Sequence, residues 1–286
     1  MWNKKVILLS LVIASAGILF PTALSGQTLE YTQTDPTFEA GARVAAGIEK
    51  SVIPKTLTFS LDEQLRVNGN FSHFQRSYTT LGADYRLLPW LKTGLSYSLI
   101  VNNSSSNGWG LRHRGAFSLT ETARSGRLKI AFREKIQATY RADSMNVYQS
   151  PRTIWVLKTR VKASYDLRGS RFTPYASAEA RFLLNGANPA YFVYDSSTGR
   201  MSNTSPVYND VYFNRLRINL GSTYKTPRRN TLDFYIVGDL CYDLDIDFNS
   251  KGKQKKSSLY SSGYAPYLYL SDSYFVGAGF AYTFKL

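Results

Sequence analysis

The chain holds a single cysteine, Cys241, so no intramolecular disulfide can form, and the Cys/His spacing of a zinc site is missing. Histidine is nearly as scarce: His73 and His113 are the only two, which leaves little equipment for acid–base catalysis. There is no glycine-rich phosphate loop and no recognised nucleic-acid motif. Beyond residue 26 no apolar run approaches the roughly 20 residues of a membrane-spanning helix, so residence in a membrane would have to be by strands. Acidic residues are also few. Twenty Asp plus Glu stand against 35 Lys plus Arg, a formal charge of +15 with a pI near 9.8, which favours anionic partners without naming one. What is abundant is aromatic: 21 Tyr and 16 Phe in 286 residues, within a 43% hydrophobic composition that excludes a disordered chain and leans toward β structure.

Lys4 and Lys5 precede an apolar run from Val6 to Phe20, after which Ala23 and Ser25 fit the small-residue positions before a cleavage site. This is the pattern of a secretory signal peptide. Residues 1–25 are expected to be removed, with cleavage after Gly26 as the alternative, leaving 26–286 as one domain. An uncleaved anchor needs a longer apolar core, and no cysteine follows to carry a lipid. Export also takes the chain away from intracellular nucleic acid.

From there apolar side chains recur on every second residue, the period of a strand. In 231–246, Leu232, Phe234, Ile236, Leu240, Tyr242, Leu244 and Ile246 share one face and Asp233, Asp239, Asp243 and Asp245 the other. In 208–225, Tyr212, Leu216, Ile218, Leu220 and Tyr224 oppose Arg215, Arg217, Asn219 and Lys225. Similar alternation marks 37–49, 57–67, 75–86, 91–102, 110–122, 127–141, 152–166, 173–185 and 274–286. The connections alternate too. Tight ones at Pro54–Lys55, Leu88–Trp90, Arg124–Gly126, Arg168–Ser170 and Thr226–Arg229 take turns with polar ones at Asn68–Phe74, Asn103–Gly108, Ala142–Ser150, Asn185–Asp210 and Asp247–Ser273.

Short turns at one end and long loops at the other describe an outer-membrane barrel. That orientation makes 37–49 run downward, so an upward strand at 27–34 is expected before it. The predicted fold is all-β, an antiparallel transmembrane β-barrel of about twelve strands, with ten as the fallback. The rival is a secreted β-sandwich, whose strands alternate as well. Three features favour the barrel: strands long enough to cross a bilayer at a tilt, aromatic residues such as Tyr85, Trp90, Trp109, Tyr140 and Tyr224 near strand ends, and a final strand with Val276, Ala278, Phe280, Tyr282, Phe284 and Leu286 on one face.

Four segments carry a family resemblance: Leu61-Asp62-Glu63-Gln64-Leu65-Arg66, Arg112-His113-Arg114, Phe172-Thr173-Pro174-Tyr175, and Gly277 to Lys285. In this order the chain resembles domain-of-unknown-function family 2490 of bacterial outer-membrane proteins. The resemblance implies a barrel in the outer membrane of a Gram-negative bacterium, without assigned activity or catalytic residues. Leu286 stands where an aromatic residue is expected at the end of the last strand.

If the polar face lines a barrel, the interior has a basic wall of Arg112, Arg114, Lys129, Arg133, Lys135, Lys158, Arg160, Lys162, Arg181, Arg215 and Arg217. Opposite it stands an acidic wall of Asp233, Asp239 and Asp243, joined by Glu39, Asp62 and Asp84. Such walls either select small anions or pair with one another and plug the space. Glu63 and Glu134 fall on the apolar face, where a local bulge would explain them. An outer-membrane lipid hydrolase is the enzymatic alternative, but His113 and Ser118 differ by an odd number and point apart, and His73 beside Ser72 lacks an orienting third group, so it ranks below a channel and a closed structural or surface-interaction barrel. Cys241 is expected inside as a small packing residue, and Gly277 and Gly279 inside to spare space. The run Lys251, Lys253, Lys255 and Lys256 is either a grip on lipopolysaccharide phosphates or a solvated loop. The chain is therefore expected to be non-enzymatic, without cofactor or metal, with outer-membrane lipids, lipopolysaccharide and the barrel-insertion machinery as partners and its oligomeric state open.

Overall fold

A computed structural model describes residues 32–104, 108–143, 146–188, 194–195, 200–201, 207–253, 255–256 and 268–286. The expected leader, 1–25, lies outside them. The described elements are β1 (Thr32–Gln33), β2 (Thr37–Ile53), β3 (Leu57–Asn68), β4 (His73–Leu88), β5 (Leu91–Ser104), β6 (Gly108–Ser125), β7 (Leu128–Arg141), β8 (Thr153–Tyr165), β9 (Phe172–Ala187), β10 (Tyr194–Asp195), β11 (Arg200–Met201), β12 (Tyr208–Lys225), β13 (Thr231–Ile246) and β14 (Leu268–Lys285).

Period-two patterning separated by turn residues produces long antiparallel ladders between neighbours in the chain. β2 to β9 follow one another, β9 pairs with β12 across the small β10–β11 hairpin, and β12, β13 and β14 complete the sheet. β14 then pairs with β2, from Ser273 opposite Thr37 to Lys285 opposite Glu49, and the sheet closes into a barrel. That closing ladder is parallel. Eleven staves are an odd number, so the first and last run in the same direction, and the two can join only in parallel.

The expected upward strand at 27–34 is therefore corrected. Residues 27–31 lie outside the described part, and Thr32–Gln33 lie beside Tyr269 and Leu270 on the same edge of β14 that β2 occupies, running the same way. Pro36 in the break between the two pieces has no N–H to give to a ladder. β1 is thus an outlying piece of the first stave rather than a stave of its own.

Large apolar side chains alternate on the outside. Leu95 is 64% exposed, Ile236 63% and Val276 60%, whereas Arg43, Glu179 and Asp239 on the other face are 6–8% exposed. Among the described residues no helix is long and apolar enough to cross a membrane. The tight turns lie where expected, and Gly126 supplies the left-handed conformation (φ 56°) that the Ser125–Arg127 turn needs. The contrast in loop length is smaller than the sequence suggests, because β3, β4, β5 and β6 extend and leave only 69–72 and 105–107 between them.

Two departures from simple alternation have opposite causes. Register shifts between Tyr208 and Arg215 mark a bulge near Asn214, which changes the parity of β12, so Val211 and Phe213 are the exposed residues there and Tyr212 turns away from the Leu216 face. At Glu63 and Glu134 the ladders on both sides run without a shift, so the expected bulge is missing and both carboxylates stay on the outer face. Glu63 accepts hydrogen bonds there from Ser77 and from Thr79 (2.6 Å) on β4.

At the long-connection end Ala187, Ile246, Phe248 and Leu268 form a buried apolar cluster with Tyr148 and Tyr208 against it. Asn146 donates to the Phe248 carbonyl at 2.7 Å, and Gln149 to Asp247 at 2.7 Å, so residues 146–149 pack onto the segment after β13.

Candidate functional site in the barrel interior

The inward positions of all eleven staves surround a cavity of about 470 Å³. Its lining includes nine Lys and Arg side chains and three carboxylates, Asp62, Glu179 and Asp233. Of the basic wall read from the sequence, Arg114, Arg133, Lys135, Lys158, Arg160, Lys162 and Arg217 line this space. Lys129 lines a second cavity of about 680 Å³ at the tight-turn end, and Arg112 a third of about 540 Å³ at the other end. The middle and tight-turn cavities share Arg160, Lys162 and Tyr175.

Strand register decides which charges meet. Lys135, Lys158, Arg181 and Arg215 follow one another directly across β7, β8, β9 and β12. Arg43, Arg66 and Arg76 do the same across β2, β3 and β4. Like charges directly opposite destabilise a ladder, so two such rows are a cost that side-chain packing alone does not require. A neighbouring row begins with a like-charged pair, Arg133 and Arg160, and alternates in sign from there: Arg160, Glu179, Arg217 and Asp239.

The carboxylates are consequently dispersed rather than massed on one wall. Asp239 accepts a bidentate pair from Arg217 (2.6 and 2.7 Å) and a third bond from Arg43 (3.0 Å). Glu179, within the basic wall, meets Arg133 at 3.0 Å and Lys158 at 4.0 Å. Asp233 accepts from Tyr175 (2.9 Å) and Thr223 (3.0 Å), and Asp243 from Asn214 (2.8 Å). Among the described residues no carboxylate lies within salt-bridge distance of Arg112, Arg114, Lys129, Lys135, Arg160, Lys162 or Arg215. Arg215 donates instead to Cys241 Sγ at 3.0 Å.

Arg43, Arg66, Arg76, Tyr78 and Glu179 were not singled out by the sequence reading. Arg66 and Arg114 lie over the ring of Tyr78 at 4.3 and 5.6 Å, and Arg76 donates to Asn102 at 2.5 Å. Each is on the inward parity of a strand whose alternation the sequence shows, so taking every charged or aromatic residue at that parity, on β2–β4 and β9 as well, finds them. Nothing in the spacing places Glu179 against Arg133, two strands away.

The remaining candidates fall elsewhere. His113 Nδ1 is 2.6 Å from the Tyr97 hydroxyl on the outer face, while Ser118 bonds to Gly94 O. His73 begins β4, with Nε2 at 3.2 Å from Asn103 O. Lys255 pairs with Asp247 at 2.6 Å. A Cβ on Gly279 would come within 2.0 Å of the Tyr235 ring, so that glycine makes room for an inward tyrosine. No group of three His, Cys, Asp or Glu side chains suited to a metal occurs among the described residues.

A family model described as "Protein of unknown function (DUF2490)" matches residues 48–245, more than half the chain. The chain belongs to that family. The match takes in the segments at Leu61–Arg66, Arg112–Arg114 and Phe172–Tyr175 and ends before Gly277–Lys285. Comparison with the curated proteins and with the solved structures found no match.

Proposed function

We propose that this member of the family is an outer-membrane β-barrel of a Gram-negative bacterium whose interior is a narrow, basic passage for small anions. The outward belt of Leu, Val, Ile and aromatic side chains, and strands of 12–18 residues throughout the staves, suit a bilayer. A barrel of about eight strands is filled by its side chains and one of about 16 is open, so eleven leave a constricted interior. The observation that carries the anion reading is the row Lys135–Lys158–Arg181–Arg215, four consecutive staves presenting cations inward. In a low-dielectric wall such a row attracts anions and repels cations, as charged rings do in selective channels.

The test is single-channel recording of the purified protein in planar bilayers under a KCl gradient. A reversal potential on the chloride side is expected, shifting toward zero in Lys135→Gln/Lys158→Gln. Cation selectivity would reject the reading. A closed barrel with a structural role is the second reading, favoured by the Arg43–Asp239–Arg217 bridge in the interior, and silence at all voltages would select it. Neither reading assigns a catalytic group; lipopolysaccharide outside and the insertion machinery inside are the partners both would share.

A further inference from the structure

We infer that the tight-turn mouth of the barrel is a binding site for a compact multivalent anion, a small solute carrying two or more phosphate or carboxylate groups. The inference rests on the basic-passage reading of the same interior and names what that passage would take up.

The cavity at this mouth measures about 680 Å³, within the range of small-molecule sites. Eight Lys and Arg side chains line it against one carboxylate, Asp166. Two cross-strand pairs on its wall are like-charged and in direct register, Arg86 with Lys92 on β4–β5 and Arg124 with Lys129 on β6–β7. Of these four, only Lys92 has a carboxylate partner among the described residues, Asp84 at 2.9 Å. Deeper in, Lys162 Nζ is held 3.5 Å from the centre of the Tyr175 ring, and Arg160 Nε is buried without a hydrogen-bond partner among the described residues.

Each observation points the same way. Facing like charges destabilise an empty ladder and are relieved when one anion lies between them. A buried guanidinium N–H without an acceptor is costly unless something else supplies one. A single monovalent ion could satisfy one pair at a time. The β4–β5 and β6–β7 pairs and the inner Arg160 and Lys162 together ask for several anionic groups on one solute, and guanidinium and ammonium donors suit phosphate and carboxylate oxygens alike.

The probe is inorganic tripolyphosphate, titrated calorimetrically into the full-length barrel in non-ionic detergent at low salt, beside orthophosphate and maltose. Folding of every variant is checked by heat-modifiable gel migration. Tripolyphosphate is expected to bind about tenfold or more tightly than orthophosphate, and maltose not at all. Arg124→Gln/Lys129→Gln, and independently Arg86→Gln, should each weaken tripolyphosphate several-fold, while the charge-matched Lys251→Gln/Lys253→Gln in the opposite loop should not. Equal weakening by the loop variant, or no preference over orthophosphate, would mean general attraction to a basic protein and overturns the site. An anion-selective channel that gives no heat with tripolyphosphate overturns the site and leaves the passage; binding by a non-conducting barrel upholds the site and rejects the passage.

Discussion

Arg43 on β2 and Asp239 on β13 meet at 3.0 Å across the strand between them, β14, so their ion pair bridges the parallel seam that closes the barrel. Both side chains are at most 7% exposed. Parallel pairing is slightly weaker per residue than antiparallel, and this is the ladder that joins the two ends of the described sheet. A bidentate Arg217 on the other side leaves Asp239 serving two arginines.

Asp239→Ala strands two guanidiniums in the interior. The expected loss is about 3–5 kcal/mol, measured by urea unfolding of the refolded barrel followed by tryptophan fluorescence. Arg43→Met/Asp239→Leu should lose less than Asp239→Ala alone, since it leaves only Arg217 without its partner. A double variant as unstable as the sum of two singles would show that the bridge does not couple the seam.

In the outer face, Glu63 with Ser77 and Thr79 forms a polar island on β3–β4. If that face meets hydrocarbon, the triple variant Glu63→Leu/Ser77→Ala/Thr79→Val should raise stability in lipid vesicles by about 1–2 kcal/mol, because a lipid-facing carboxylate is unfavourable there. The gain should be smaller in detergent, whose looser and more hydrated apolar belt penalises a carboxylate less. A loss of stability in vesicles would contradict a bare lipid contact at this spot.

Phe248 is fully buried in the cluster that holds residues 146–149 against the segment following β13. Phe248→Ala should cost about 3–5 kcal/mol locally. Limited trypsinolysis reads this directly: cleavage at Lys251 and Lys253 should accelerate several-fold while the heat-modifiable barrel band persists. Loss of the folded band with no change in loop cleavage would place the cluster in the barrel's own stability instead.

Conductance gives a further check on the interior. Lys158 stands in the four-cation row and also 4.0 Å from Glu179. Lys158→Glu reverses one charge of the row and adds a carboxylate beside Glu179, so anion selectivity in planar bilayers should fall more than in Lys158→Gln. Identical reversal potentials in the two variants would exclude this row from the path.

Much of the barrel was legible in the order of residues. The strand at 231–246 has the bounds that its alternation predicts, and its aspartates share a face because a period of two leaves them no other. The inward cations of β6 to β9 were legible for the same reason. Three things were not. Asn214 carries no bulge signature, so the change of parity that moves Tyr212 is invisible in a pattern of polar and apolar letters. Glu63 reads as an error in the pattern, and only an unbroken ladder shows that it is a true outward carboxylate. Asp239 reads as part of an acidic wall, whereas register delivers it to Arg217 and closure delivers it to Arg43.

Alternation and turn residues determined that the chain makes long antiparallel strands, one apolar and one charged face on each, because side-chain direction along a strand is local geometry. How many staves close, and in which sense, was decided only in three dimensions. The closing ladder joins Thr37–Glu49 to Ser273–Lys285, segments far apart in the chain, and depends on the summed twist and stagger of the whole sheet. No local pattern encodes that sum, so an even antiparallel count and an odd one with a parallel seam look alike until the two ends meet.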